Sequence, residues 1–470
     1  MNHISSDPWR WSATDATVAL LRREISSREL TKSVLARIHT VNPRVNALTE
    51  ILDEEALAAS DDADHVLAAG GPLRYLHGIP VTTKINVDQA GLATTNGSLA
   101  LRDLMAKEDA PVVANLRRAG AVIVGRTNTA TYSVRWFTDN AVHGRTLNPW
   151  NENITPGGSS GGAAVAVATG MGAIAHGNDM GGSIRYPAYC CGVTGLRPSI
   201  GWIPAHNPSA TAERSIASQL MSVQGPLART VADLRLALHA MAQFDARDPN
   251  CIPLQRPILP RITGARIAVC RSHAGINAHP AVVQAIDQAA GWLQEAGYVV
   301  EEMQPPGLRE GAALWRFLGV EDGRRGLSAA ITAHGDRPMR ISQGHMEHGI
   351  VESGRDVYLD ALAERFELAR RWAVFFEKFT LLLMPVSWQP PAPQDEDAGS
   401  QEQFDTLLDA QSPLLATACL ALPGISVPTG MYGTRPMGVQ LVAARFHDEL
   451  LLNAAQVIEE AAGVAGHIAT

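Results

Sequence analysis

The chain has 470 residues, 46% of them hydrophobic and 18% charged, with a formal net charge of −8 at pH 7. So mildly acidic a balance excludes an electrostatic footprint for nucleic acid or an anionic membrane, and no polybasic cluster offsets it. Five cysteines are an odd number in a long chain and make no disulfide framework. Buried free thiols are expected, and with them a reducing cytoplasm. Residues 1–10 lack the apolar core of a signal peptide, and no run reaches the ~18 apolar residues of a spanning helix. The 15 histidines show no metal-ligand spacing with the cysteines, so no metal is expected.

Thr14 or Asp15 is a candidate cap for a first helix carrying Val18, Leu20 and Leu21. Thr31 opens a second, with Val34, Leu35, Ile38 and Val41 at helical spacing and Asn42-Pro43 as its stop. A short strand over 47–51 and an alanine-rich helix over 54–69 follow. Residues 1–70 read as a helical cap of structural character; the functional alternative is the contact surface of a homodimer.

Residues 77–84 differ in kind. A β-rich run over 79–83 delivers one lysine, followed by Asn86, Asp88 and a turn at Gly91. A lone lysine is ordinarily a solvated surface charge, but Lys84 ends an apolar strand, which argues for partial burial. A helix over 112–119 and a buried strand over 120–125 precede Arg126-Thr127-Asn128-Thr129. Trp136 and Phe137 read as core before substrate wall, and Asn148-Pro149-Trp150 leads into a glycine-rich centre.

That centre runs from Gly157-Gly158-Ser159-Ser160-Gly161-Gly162 to Gly181-Gly182-Ser183-Ile184-Arg185. Residues 163–168 are apolar on every side, as in a buried helix. Ala173-Ile174-Ala175 reads as a strand and Asn178-Asp179 as a polar turn. Taken alone, the first motif reads equally as a flexible linker or as a nucleophile loop. A second glycine-serine turn across core-like sequence argues instead for two serines held by one helix and one strand end. Glycine lets backbone N–H groups close on a ligand, so a serine there can be a nucleophile with oxyanion donors around it. No histidine stands in the context of a Gly-x-Ser-x-Gly elbow or an Asp-His-Ser set. A lysine can act as base when desolvation keeps it neutral.

Farther on, the sequence predicts strands at 266–269 and 299–300 around a helix over 280–296. Residues 308–378 are mostly helical and hold Trp315, Phe317, Tyr358, Phe366 and Trp372. A buried strand follows at 381–385. The Pro- and acid-rich segment 389–403 reads as a surface loop or partly mobile lid. Neither a repeat nor a clean linker divides the chain, so one domain over 1–470 with a variable flank is expected.

The serine motifs, together with Gly78-Ile79-Pro80-Val81-Thr82-Thr83-Lys84, resemble the amidase signature family, serine hydrolases with a Ser–cis-Ser–Lys triad. The likeness runs roughly from Ala13 to Gln456 and is densest over 77–199. It continues in Tyr186-Pro187-Ala188, in Gly192-Val193-Thr194-Gly195-Leu196-Arg197-Pro198, and in Gln224-Gly225-Pro226-Leu227-Ala228-Arg229-Thr230 with Asp233, which opens a helix through Met241. Two further stretches, from Leu422 to Gly430 and from Pro436 to Leu441, extend it. The resemblance implies a single large α/β/α sandwich with a mixed central β-sheet covered by helices, a catalytic core over 77–199 and a substrate-shaping region over 308–403. Three departures stand out. Ile85 follows the lysine where many members have aspartate, Arg126 stands in the place of a lysine, and the usual acidic residue is replaced near Thr131.

Carried over residue by residue, the resemblance makes Lys84 the base, Ser159 the relay after a cis peptide, and Ser183 the nucleophile. Ser159 lies 75 residues after Lys84, and Ser183 24 after Ser159. The backbone N–H groups of Met180, Gly181, Gly182 and Ser183 would form the oxyanion hole, supported by Ser160, Asp179 and Arg185. Arg185 has two readings, an ion pair holding the loop or a contact to a substrate carboxylate; its recurrence across members with varied substrates favours the first. The implied reaction cleaves the C–N bond of a small-molecule carboxamide through an acyl-serine, without cofactor or metal, giving acid and ammonia or amine. One alternative is the A component of a glutamyl-tRNA amidotransferase, which often has Gln-Pro-Ala where this chain has Tyr186-Pro187-Ala188. Another is a catalytically silent scaffold, against which the three retained residues count. Aliphatic, aryl, peptide and lipid amides all remain open as substrates.

Overall fold

An uninterrupted apolar run such as Leu381-Leu382-Leu383-Met384 has no side to offer water. In the computed structural model, which describes residues 7–253, 264–273 and 275–463, Leu381 and Leu383 enter one buried cluster, Leu382 and Met384 another. Successive strand side chains point to opposite faces, so both faces of this sheet are covered. Ile267 and Val269 part from Ala268 in the same way. Helices Pro280–Glu295 and Asp448–Ala462 supply the first layer, Leu308–Gly323 and Arg355–Lys378 the second. Each fully buried leucine contributes about 1.5–3 kcal/mol relative to exposure.

The sheet has eleven strands: β1 (Leu48–Ile51), β2 (Pro80–Lys84), β3 (Val122–Thr127), β4 (Ile174–Asp179), β5 (Thr194–Arg197), β6 (Val223–Ala228), β7 (Arg266–Val269), β8 (Val299–Glu302), β9 (Leu381–Pro385), β10 (Gly424–Tyr432) and β11 (Arg435–Ala443). Their spatial order is β1-β3-β2-β4-β6-β5-β10-β11-β9-β7-β8. The α/β/α sandwich with a mixed sheet is therefore the observed architecture. Strand β2 pairs parallel with β3 and β4, with Val81 opposite Ile174 and Thr82 opposite Ala175. The carboxyl ends of β2 and β4 thus open on one edge, where α/β sheets bind ligands. Between the two serine loops lies helix Gly161–Ala168, every residue of it buried.

Several local expectations shift. Ser12, rather than Thr14 or Asp15, caps the first helix by accepting from Asp15 N–H, while Thr14 bonds to Asp233. The second helix starts at Ser27 instead of Thr31, because Ser26 and Glu29 form a capping box. It also runs through Pro43 to Val45, where Asn46 in the left-handed region (φ +49°) ends it. The expected turn at Asn178-Asp179 is strand, pairing with β6 as far as Asp179 opposite Val223. The segment 389–403 is no free lid. Buried Arg135 grips buried Asp397 through two hydrogen bonds of 2.8 and 2.6 Å and reaches Asp395 at 3.0 Å. The Tyr186 hydroxyl accepts from Ala392 N–H at 3.2 Å, and from Gln401 the chain is helical.

Candidate active site

Strand β2 carries Lys84 into the interior with no exposed surface. Its Nζ lies 2.7 Å from Ser159 Oγ, 3.0 Å from Ser160 Oγ and 2.8 Å from Asn178 Oδ1. Burial drives the Lys84 pKa well below the ordinary lysine value, and the nearby Asp179 charge opposes this only in part. A neutral amine has two N–H bonds and one lone pair. Asn178 Oδ1 can only accept, and Ser160 Oγ directs its proton toward Asn178 O. The two N–H bonds are therefore spoken for, and the lone pair is left to the Ser159 hydroxyl. The Gly158-Ser159 peptide is cis, as the family resemblance implies.

Beside this group, β4 ends in the loop holding Ser183. The structure brings Ser159 and Ser183 to one cavity wall, and Ser160 N–H donates to Ser183 O at 3.2 Å. Of the four amides expected to receive an oxyanion, Gly182 N–H already donates to Asp179 Oδ1 at 2.8 Å. Among the described residues no acceptor takes the amides of Met180, Gly181 and Ser183. The loop packs too closely for larger residues: a Cβ on Gly182, whose φ is +100°, would sit 2.6 Å from Leu414 Cδ1.

Asp179 and Arg185 are fully buried and joined by two bonds of 2.9 Å, with Arg197 on the other side of the carboxylate. Burial alone would raise the Asp179 pKa, but the Arg185 and Arg197 charges hold it well below the usual carboxylate range. Burial likewise pushes Arg197 down to about 10 against the pull of Asp179. Arg185 also donates to Thr417, Gln440 and Leu414 O. With every donor so engaged and no place in the cavity lining, its position is that of the ion pair holding the loop.

The three departures from the family pattern each have a structural counterpart. Ile85 is fully buried, and the loop after Lys84 is held by Arg126, which donates to the carbonyls of Ile85, Val87 and Ala93 and pairs with Glu50. Thr131 donates to Asp336 at 2.6 Å, so a carboxylate from a distant helix cap reaches that position. His176, which accepts the Lys84 backbone N–H at Nδ1 (3.4 Å), donates from Nε2 to Gln224 Oε1 (2.8 Å), and burial brings its pKa down to about 4, which leaves it neutral.

The cavity before the serines measures about 1090 Å³. Asn178, Trp136 and Trp315 line it and escape the sequence reading, which puts Asn178 in a turn, Trp136 in the core, and Trp315 only in a variable helical region. Phe137, by contrast, is fully buried as expected. Trp136 Nε1 donates to Gly181 O at 2.9 Å and Trp315 Nε1 to Met180 O at 2.7 Å.

Among the described residues no cluster suited to a metal ion is present, and no helix is long and apolar enough to cross a membrane. A family model described as Amidase matches residues 29–452. An indoleacetamide hydrolase of Bradyrhizobium diazoefficiens is 41% identical over 98% of this chain and 88% of its own. The A component of the glutamyl-tRNA(Gln) amidotransferase of Synechococcus sp. (strain CC9311) is 34% identical over 94% of this chain and 95% of its own. A bacterial aryl acylamidase of the amidase signature enzymes superposes with a TM-score of 0.84 at 25% identity, over 97% of each chain. Strand order, serine loops and buried lysine thus occur together with a match spanning nearly the whole sequence, and the chain belongs to the amidase signature family.

Proposed function

We propose that this protein is an amidohydrolase that cleaves a carboxamide C–N bond through an acyl-enzyme on Ser183. The observation that carries the proposal is the 2.7 Å contact between Ser159 Oγ and the buried Nζ of Lys84, whose neutral form burial favours. Lys84 takes the Ser159 proton, Ser159 takes that of Ser183, and Ser183 Oγ attacks the carbonyl carbon. The amides of Met180, Gly181 and Ser183 receive the developing oxyanion, while Gly182 N–H serves Asp179. Losing one such donor typically costs about 3 kcal/mol of transition-state stabilisation. On collapse the C–N bond breaks and the proton returns through Ser159 to the leaving nitrogen. A water then enters along the same relay and hydrolyses the ester.

The substrate we infer is a primary amide with an aromatic acyl group. The indoleacetamide hydrolase relative supports this, as do the two indoles in the cavity wall and a volume well above the needs of a short aliphatic amide. The five free cysteines are all buried, which fits a reducing cytoplasm.

The test is ammonia release by the isolated chain from indole-3-acetamide, phenylacetamide, propionamide and amino-acid amides, with Ser183→Ala alongside. Release from the aromatic amides by wild type alone is expected. Release only in the presence of partner proteins would instead identify an amidotransferase component. Release by Ser183→Ala at the wild-type level would refute the acyl-serine.

A further inference from the structure

We infer that Trp315 and Trp136 are positioning residues that set the oxyanion loop, so that a helix of the substrate-shaping region controls the catalytic step directly. This rests on the acyl-serine reading. In a trans peptide the C=O of one residue and the N–H of the next point in opposite directions. Trp315 Nε1 holds Met180 O at 2.7 Å and thereby fixes where the Gly181 N–H points. Trp136 Nε1 holds Gly181 O at 2.9 Å, and the N–H of that same peptide is taken by Asp179 Oδ1 at 2.8 Å. Two consecutive peptide planes are thus set by side chains from helix Leu308–Gly323 and from the segment after β3.

The need for such clamps follows from the sequence. Gly181 and Gly182 leave these planes free to rotate at low cost; rotating the Met180–Gly181 plane would aim a carbonyl oxygen, not an N–H, at the reacting group, and rotating the next would turn Gly181 O onto the Asp179 carboxylate. Each indole offers one N–H and no acceptor, so neither can stabilise the reversed orientation. The rings stack on each other (centroids 6.4 Å apart, 27° between planes) and face the cavity. Trp315 also packs on the loop itself, where a Cβ on Gly181 would lie 2.5 Å from its Cζ2. A substrate that moves the Trp315 ring therefore moves the donor.

The experiment is Trp315→Phe, which keeps an aromatic ring and removes the N–H, with Trp136→Phe as an independent second variant. Steady-state kinetics on the preferred amide are read together with inhibition by a trifluoromethyl ketone, whose serine adduct carries an oxyanion. The expectation is a kcat lowered about 10- to 100-fold with KM nearly unchanged, and adduct affinity weakened in the same proportion. Should Trp315→Phe fail to fold, the same pattern is required of Trp315→Leu, while Trp136→Phe, whose peptide keeps the Asp179 bond on its N–H, should show a smaller loss of the same kind. Wild-type kcat and adduct affinity in a folded variant would overturn the inference, and so would losses in KM and melting temperature with adduct affinity intact. Activity persisting in Ser183→Ala would refute the acyl-serine reading instead, which keeps the two failures apart.

Discussion

Replacing Asn178 by aspartate changes the site by a single charge. Asn178 Oδ1 lies 2.8 Å from Lys84 Nζ, and aspartate puts a carboxylate oxygen in nearly the same place. At about 3 Å and an effective dielectric near 20, the attraction between the two charges is on the order of 5 kcal/mol. Desolvating the new carboxylate offsets part of this, and opposite charges so placed typically raise an ammonium pKa by about 1–3 pH units, roughly 1.4–4 kcal/mol. The amine must be neutral to act as base, so activity rises with pH as Lys84 loses its proton. A raised pKa moves that ascending limb to higher pH. At a fixed pH on the limb, kcat/KM of Asn178→Asp should therefore be about 10- to 1000-fold below wild type, with recovery in alkali. The assay is ammonia release across pH, with Asn178→Ala as the control that loses the acceptor without adding charge. An Asn178→Asp enzyme with the wild-type limb would refute Lys84 as the base.

Three further outcomes are expected. Lys84→Ala should lower turnover by orders of magnitude and abolish the ascending limb, measured by the same assay; wild-type rates would contradict the relay. Asp179→Asn leaves Arg185 and Arg197 buried beside a neutral group and should cost about 3–5 kcal/mol of stability, read as a lowered denaturant midpoint. Since the folded Asp179 pKa lies below its ordinary value, its contribution is present above that value and lost as pH falls through the folded pKa. Arg135→Ala should free the segment 389–403 and speed its cleavage by limited proteolysis; unchanged cleavage would show that Asp395 and Asp397 do not anchor it.

The strands and buried helices were legible because their side-chain periods report burial directly: 266–269 and 381–385 fall where the apolar runs put them. Helix starts were less so. Ser12 and Ser26 act through a hydroxyl on the third amide ahead, and Thr14, Asp15 and Thr31 are chemically as apt in a linear reading. The family motif located Lys84, Ser159 and Ser183, and the cis bond before Ser159 lies where that motif implies it. Asn178 was missed because its meaning depends on β4 continuing past Gly177, which brings its amide to Lys84 across two neighbouring strands. Trp315 was invisible for a different reason: 135 residues separate it from the carbonyl it holds, and no local pattern encodes such a contact.

The group Asp179, Arg185 and Arg197 does not sum to neutrality. One carboxylate faces two guanidiniums, all three without solvent exposure, and Arg197 also feels the charge of Arg365. The serine loop therefore sits above a fixed excess of positive charge that water cannot screen. Such a potential favours an anion arriving at the Met180–Ser183 amides. Arg185 and Arg197, neither of which lines the cavity, thus bias the charge that forms in the reaction through the field alone.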